Sequence, residues 1–242
     1  MALVVLADDA YAFMVMWETM ALSSFLLVTA NHRIAEIRRA GYLYLLVAHV
    51  GAIGILLCFG VLQANTGDYT FANMRAQSLS PFWASIGFGL AVFGFGAKAG
   101  IVPLHVWLPE AHPAAPSPVS ALMSAVMLKT AIYGLLRVSF DLLQARLWWW
   151  GVVLLGIGLA TAIFGVVFAA VQSDMKRLLA YSSIENIGFI VAGIGLALLF
   201  SAYGMAALAA LALAAAVYHV AAHAFFKSLL FLGTGAVLHA TR

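Results

Sequence analysis

Seven apolar stretches, each long enough to cross a lipid bilayer as a helix, dominate this chain of 242 residues. A bilayer core of about 30 Å requires roughly 20 apolar residues in helical form. The stretches lie near residues 11–30, 40–62, 81–102, 118–138, 147–171, 178–200 and 204–238. Lipid offers no hydrogen bonds to a bare backbone, and the Leu, Ala, Met and Gly content favours helices over barrel strands. The sequence therefore predicts an all-α, polytopic transmembrane helix bundle of about seven helices.

The composition excludes several classes of protein. Hydrophobic residues make up 65% of the chain and charged residues 9%, whereas soluble domains carry about 25% charged residues. The net charge of +3 is too small and too scattered for a nucleic-acid partner. The single cysteine, Cys58, allows neither a disulfide framework nor iron–sulfur ligation. We predict no cofactor or metal in this chain, and we interpret Cys58 and His49 as ordinary packed residues.

The basic residues predict how the helices are oriented. If the first apolar stretch runs inward, six basic residues fall on the inner side and three on the outer side, and an inner excess of Lys and Arg is typical of multi-pass proteins in a bacterial or archaeal cell membrane. The inner set is Arg33, Arg38, Arg39, Lys176, Arg177 and Arg242, and the outer set is Arg75, Arg137 and Arg146. Residues 1–7 lack a basic n-region and a cleavage site, so we interpret them as the end of a membrane segment.

A break in the bundle is predicted near Pro103. Residues 103–117 contain four of the six prolines and no Lys or Arg, which is typical of a broken, re-entrant turn. The preceding glycine-rich run, residues 94–100, does not match a phosphate-binding loop, because no strand precedes it and the Gly-Lys-Ser/Thr ending is missing. The spacing of Gly96 and Gly100 instead predicts close helix packing.

Three charged residues lie where charge is expensive, since an ionisable side chain at mid-membrane costs roughly 2.5 to 3.5 kcal/mol on insertion scales. Lys129 stands eleven residues after Pro118, too deep to reach an interface, so a functional charge is favoured over a structural ion pair. Lys98 precedes Pro103 by five residues; it either lies at a break that exposes backbone carbonyls to an ion, or snorkels from a helix end. Glu18 supplies the opposite charge and requires a basic partner to stay ionised.

A polar row follows in the last apolar segment, where His219, His223 and Lys227 occur at four-residue steps. This spacing places all three on one face of a helix. A proton-transfer row is favoured over a structural His pair, and both are favoured over a metal site, because no third ligand is found. Glu185 either belongs to a proton access path or makes an interfacial hydrogen bond. His105 and Glu110, in the predicted turn, are further secondary candidates.

Several runs of this chain resemble a known family. They are Trp17-Glu18, residues 97–112 (AKAGIVPLHVWLPEAH), residues 116–122 (PSPVSAL) leading to Lys129, residues 174–182 (DMKRLLAYS) and residues 223–227 (HAFFK). The chain is identified as a member of the antiporter-like subunits of complex I, Mrp-type cation antiporters and energy-converting hydrogenases. Residues 127–134 (MLKTAIYG) and 183–188 (SIENIG) most resemble its hydrogenase-4 component B and formate hydrogenlyase branch.

The resemblance implies a fold, a site and a function. Residues 1–242 would form one antiporter-like domain, incomplete at both ends, that is a fragment of a larger inverted-repeat fold. Glu18 would pair with Lys98, the pumping lysine of the broken helix; Lys129 would be the connecting lysine, and His219, His223 and Lys227 the polar row beyond it. The implied function is translocation of protons or sodium ions in a redox-driven hydrogenase or quinone oxidoreductase complex, with redox subunits as partners. The alternatives are an Mrp-type cation/proton antiporter subunit and a non-conducting membrane scaffold.

Overall fold

A computed structural model describes residues 1–63 and 67–241 of the chain, and in these ranges it contains helices and loops but no β-strand. The helices are α1 (Ala2–Leu6), α2 (Ala10–Val28), α3 (Ala35–Gln63), α4 (Phe71–Ala76), α5 (Pro81–Ala99), α6 (Leu108–Ala114), α7 (Ser117–Leu142), α8 (Trp148–Ala170), α9 (Met175–Ala202) and α10 (Ala206–Ala240). Helix α7 includes two π-helical segments, Met123–Met127 and Arg137–Leu142.

Seven of these helices, α2, α3, α5 and α7 to α10, are long and apolar enough to cross a membrane. The predicted all-α transmembrane bundle is therefore confirmed, and each predicted stretch corresponds to one helix. The largest difference in bounds is at α3, which begins at Ala35 rather than near residue 40. Its first turns carry Glu36, Arg38 and Arg39, and such polar turns extend a helix into the interface without adding to its apolar length.

The two ends of the bundle each collect their own ion pairs. At the basic end, Arg177 binds Glu110 at 3.0 Å, and Lys176 Nζ donates to the Ala115 carbonyl at 2.8 Å. At the opposite end, the Asp141 carboxylate accepts from Arg75 at 2.5 Å and from Arg137 at 2.9 Å. The inner and outer sets of basic residues thus separate as the sequence predicts, although Arg242 lies outside the described residues. Which end faces the cytoplasm stays a prediction.

Glycines allow the closest helix contact, between α8 and α9. A Cβ on Gly158 would lie 2.4 Å from the Ala192 nitrogen, and a Cβ on Gly188 would lie 2.4 Å from the Ala162 nitrogen. Backbones in membranes pack this closely only where side chains are absent, because dispersion contacts replace the hydrophobic effect there. Helix α9 is thereby held rigidly against α8 while its other face meets α10.

The prediction of close helix packing at Gly96 and Gly100 is wrong. A Cβ on Gly96 would lie 2.4 Å from the Ile101 side chain, so this glycine makes room for the turn that follows its own helix. Gly100 has a φ of +81° and ends α5 in the left-handed conformation that glycine tolerates best. The helix–helix approach is made instead by Gly94, where a Cβ would lie 2.6 Å from the Gly51 carbonyl oxygen.

The predicted break after α5 is confirmed and begins at Gly100, three residues before Pro103. Residues 100–107 form turns, α6 follows as a short helix of seven residues, and α7 then starts the next span. Two contacts satisfy backbone groups at the break: Trp107 Nε1 donates to the Ala97 carbonyl at 2.8 Å, and the Val102 N–H donates to Thr161 Oγ1 at 3.2 Å. The re-entrant segment is therefore held by protein groups at membrane depth.

Candidate functional site: two buried polar clusters

Lys98 lies in the last turn of α5, directly before the break, and its side chain is only 2% exposed. Its ammonium donates to the Tyr44 hydroxyl at 2.7 Å and lies 4.6 Å from the centre of the Tyr44 ring. Trp17 closes the other side, with its ring centre 6.0 Å from Nζ. A cation over aromatic faces is stabilised by their quadrupoles, so this pocket tolerates a charged lysine without an adjacent carboxylate.

The pairing of Glu18 with Lys98 that the resemblance implies is not found as a direct contact. Glu18 instead binds His49, with 3.1 Å between Oε2 and Nδ1. The interpretation of His49 as an ordinary packed residue is likewise wrong, since its side chain is 49% exposed and carries this ion pair. The reason is geometric: α3 contributes Tyr44 to Lys98 and His49 to Glu18, so it supplies a partner to each. We call Glu18, Tyr44, His49 and Lys98 the α5 cluster.

Lys129 lies in α7 directly after the first π-helical segment. In that segment the Leu128 N–H bonds to the Met123 carbonyl five residues earlier, which widens the turn. Lys129 Nζ donates to the Ser124 carbonyl at 2.6 Å and contacts His223 Nδ1 of α10. Such π turns occur often at functional sites, and here one places a lysine against the partner helix.

The predicted polar row on α10 faces the bundle. His223 and Lys227 are fully buried, while His219 is partly exposed. His219 Nε2 bonds to Asn186 Oδ1 at 2.8 Å, and Lys227 Nζ donates to the Leu179 carbonyl at 3.1 Å, so α9 holds both ends of the row. The structure thus brings Lys129, His219, His223 and Lys227 together. We call these four residues the α10 cluster.

His112 is a site residue that the sequence reasoning missed. It is fully buried, and neither ring nitrogen has a hydrogen-bond partner among the described residues. The ring stacks on Phe231 of α10, 4.7 Å between centres, one helical turn beyond Lys227. A cavity of about 360 Å³ at the basic end is lined by the adjacent Pro113 and by Lys176 and His239. Its place in the proline-rich break, where few polar residues occur, was the available signal.

The secondary candidates lie apart from the direct contacts of both clusters. Glu110 is exposed and paired with Arg177 at the basic end. His105 is half-buried against the Phe164 ring, 4.5 Å between centres. Glu185 accepts from Ser182 at 3.4 Å and packs where Gly165 leaves space on α8. Among the described residues, no group of three or more His, Cys, Asp or Glu side chains is arranged to hold a metal ion.

The contacts of the α10 cluster set what it can do chemically. A hydrogen bond between Lys129 Nζ and His223 Nδ1 requires a donor on one nitrogen and a lone pair on the other. The ammonium can donate to a neutral imidazole, or the imidazole N–H can donate to a neutral amine. The two residues therefore share a proton that can sit on either side, and Lys227, one turn beyond His223, is the next base along the row.

Comparisons with known proteins agree with this architecture. The family described as "NADH:quinone oxidoreductase/Mrp antiporter, TM" matches residues 7–242. Hydrogenase-4 component B of Escherichia coli (strain K12) is 46% identical over 240 residues, covering 98% of this chain and 36% of that protein. Formate hydrogenlyase subunit 3 of the same strain is 39% identical over 238 residues, covering 96% of this chain and 37% of that protein.

A solved structure of an Mrp complex from Dietzia sp. DQ12-45-1b superposes with a TM-score of 0.86 at 34% identity, over 99% of this chain and 25% of the matched chain. This chain spans just over a third of the length of the two curated relatives above. The described fold therefore corresponds to part of a longer antiporter-like fold. From the family match and the superposition together, the chain belongs to the NADH:quinone oxidoreductase/Mrp antiporter transmembrane family.

Proposed function

We propose that this chain forms part of a membrane subunit that translocates protons through its two polar clusters. The observation that carries the proposal is the hydrogen-bonded row of buried bases at mid-membrane, Lys129 with His223 and then Lys227. Burying three basic groups costs several kcal/mol each unless they serve a purpose, and intramembrane ionisable residues are functional by default. Lys98, at the helix break, is the second buried base with an adjustable set of partners.

The nature of the groups favours protons over sodium ions. Sodium would require carboxylate and carbonyl oxygens, whereas the α10 cluster consists of two lysines and two histidines. Amine and imidazole nitrogens bind and release protons, and in their protonated state they repel a metal cation. Sodium/proton antiport remains the second candidate because the solved structure of an Mrp complex resembles this chain over nearly its full length.

The similarity to hydrogenase-4 component B and formate hydrogenlyase subunit 3 supports a place in a complex of that kind. We propose that redox subunits of such a complex drive the translocation, that those subunits hold all redox centres, and that the chain resides in a bacterial or archaeal cell membrane. Lipid covers its outer helix faces, which expose many Leu, Val, Ile and Phe side chains.

The test is redox-driven proton uptake in vesicles that contain the complete complex. Lys98→Ala and Lys129→Ala are compared with the parent, and His239→Gln is the matched control because His239 is an exposed residue on the same helix as the polar row. Assembly is checked on a native gel. We expect both lysine variants to assemble and to lose uptake while the control retains it. Normal uptake in both lysine variants would reduce the chain to a scaffold.

A further inference from the structure

The ion pair between Glu18 and His49 occupies an unusual position, half-exposed near the middle of two spans. Glu18 lies eight residues into α2, about 12 Å from its start, and His49 is the central residue of α3. The side chains are 33% and 49% exposed. An ionised pair facing hydrocarbon at this depth carries a large energetic penalty, so this edge of α2 and α3 meets water in the assembled protein.

The surroundings of the pair are apolar. Large side chains one turn before and after Glu18 and His49 are all strongly exposed: Val15, Leu22, Leu46, Val50 and Ile53. The pair is therefore an isolated polar point on an otherwise lipid-compatible face. A structural ion pair gives little stability when it is exposed, which leaves the charge without a structural explanation.

The two nitrogens of His49 face different environments. Nδ1 contacts the Glu18 carboxylate, and no described residue bonds to Nε2. An imidazole with one nitrogen on an inner acid and the other at an exposed edge can accept a proton on one side and release one on the other. Tyr44, five residues earlier on α3, holds Lys98, so the carboxylate of Glu18 remains available to His49.

We propose that His49 is a proton-carrying residue that connects Glu18 to the exposed edge of α2 and α3; this inference rests on the proposed proton translocation. The Glu18 carboxyl transfers its proton to neutral His49 at Nδ1, giving a carboxylate and an imidazolium. The imidazolium releases its Nε2 proton to water at the exposed edge, and the reverse sequence loads Glu18. The two neutral tautomers interconvert through that water between transfers.

The decisive variant is His49→Gln in the complete complex. Glutamine keeps a hydrogen bond to Glu18 but cannot carry a proton, so it separates proton transfer from positioning. We expect redox-driven proton uptake to fall at least about tenfold, the lower end of what a proton-transferring group contributes, with assembly and electron transfer retained. His49→Ala is expected to lose uptake equally and to recover part of it when free imidazole is added. His32→Gln is the matched control, since His32 is exposed in the loop between the same two helices.

The outcomes separate this inference from the proposed function. Normal uptake in His49→Gln overturns the role of His49, as does a loss in His49→Ala that imidazole does not restore. If His49→Gln fails to assemble, imidazole rescue of His49→Ala decides, and its absence counts against the proposal. Lys98→Ala and Lys129→Ala are measured in parallel: if both retain uptake, proton translocation by this chain itself is wrong, whatever His49 does.

Discussion

The α5 and α10 clusters solve the problem of buried charge in different ways. In the α5 cluster each charged group has a partner that compensates it: Glu18 has His49, and Lys98 has the hydroxyl and ring of Tyr44. In the α10 cluster no described carboxylate contacts Lys129, His223 or Lys227 directly. Like charges repel strongly in a medium of low dielectric constant, so these bases cannot all be protonated together.

That difference assigns a task to each cluster. A compensated cluster can hold a charge at rest, whereas a cluster of uncompensated bases releases a proton when another arrives nearby. A proton reaching Lys129 therefore favours loss of one from Lys227, by Coulomb repulsion across His223. The comparison predicts that the α10 cluster is the more sensitive to removal of a single base, and the variants below test this in order of expected effect.

Lys129→Ala has the largest expected effect. It removes the donor to Ser124 and the proton partner of His223 in one change. We expect redox-driven proton uptake to fall about 100-fold or more, the scale of a lost proton-transfer group, with assembly intact on a native gel. Uptake above half the parent rate would show that the α10 cluster is not on the path.

Tyr44→Phe is expected to have an intermediate effect. It keeps the ring over Lys98 and removes only the hydroxyl that accepts from Nζ, a loss of about 1.5 to 3 kcal/mol for a hydrogen bond to a charged group. Uptake should fall about tenfold or more when initial rates are compared in vesicles. An unchanged rate would mean that Lys98 does not depend on Tyr44.

Asn186→Leu is expected to have a smaller effect. It removes the partner of His219 at the partly exposed end of the α10 row and leaves His223 and Lys227 in place. A neutral hydrogen bond contributes about 0.5 to 1.5 kcal/mol, which predicts a two- to tenfold decrease in uptake. A loss as large as that of Lys129→Ala would place the essential step at His219 instead.

Arg177→Gln is expected to have the smallest effect. Its ion pair with Glu110 is exposed on both sides, and exposed pairs contribute about 0 to 1 kcal/mol. Uptake and assembly should stay within about twofold of the parent. A severe defect would move Glu110 from the surface of the basic end into the working site.

The sequence predicted the helices and most of the buried bases because both signals are local. Apolar length locates a span, and a lysine in the middle of one, such as Lys129, is conspicuous. The partners were not predictable in the same way. Tyr44 and His49 lie on α3, and which of them meets Lys98 or Glu18 depends on helix rotation and packing, set by contacts such as Gly94 against Gly51.

The same limit explains the errors at Gly96 and His112. The spacing of Gly96 and Gly100 fits a helix contact, yet these residues shape the end of their own helix, because the chain turns at Gly100. His112 lies in a turn by its sequence, but the turn folds back into the bundle and buries the ring against Phe231. Burial of a re-entrant segment is a tertiary property that local sequence does not encode.

The central claim is that the α5 and α10 clusters act in series on one proton path. The most direct measurement compares initial rates of redox-driven proton uptake in vesicles that contain Lys98→Ala, Lys129→Ala or both, with equal amounts of assembled complex. For clusters in series, each single variant abolishes uptake and the double variant is no worse. Substantial uptake in each single variant, lost only in the double variant, would show two parallel paths and contradict the account.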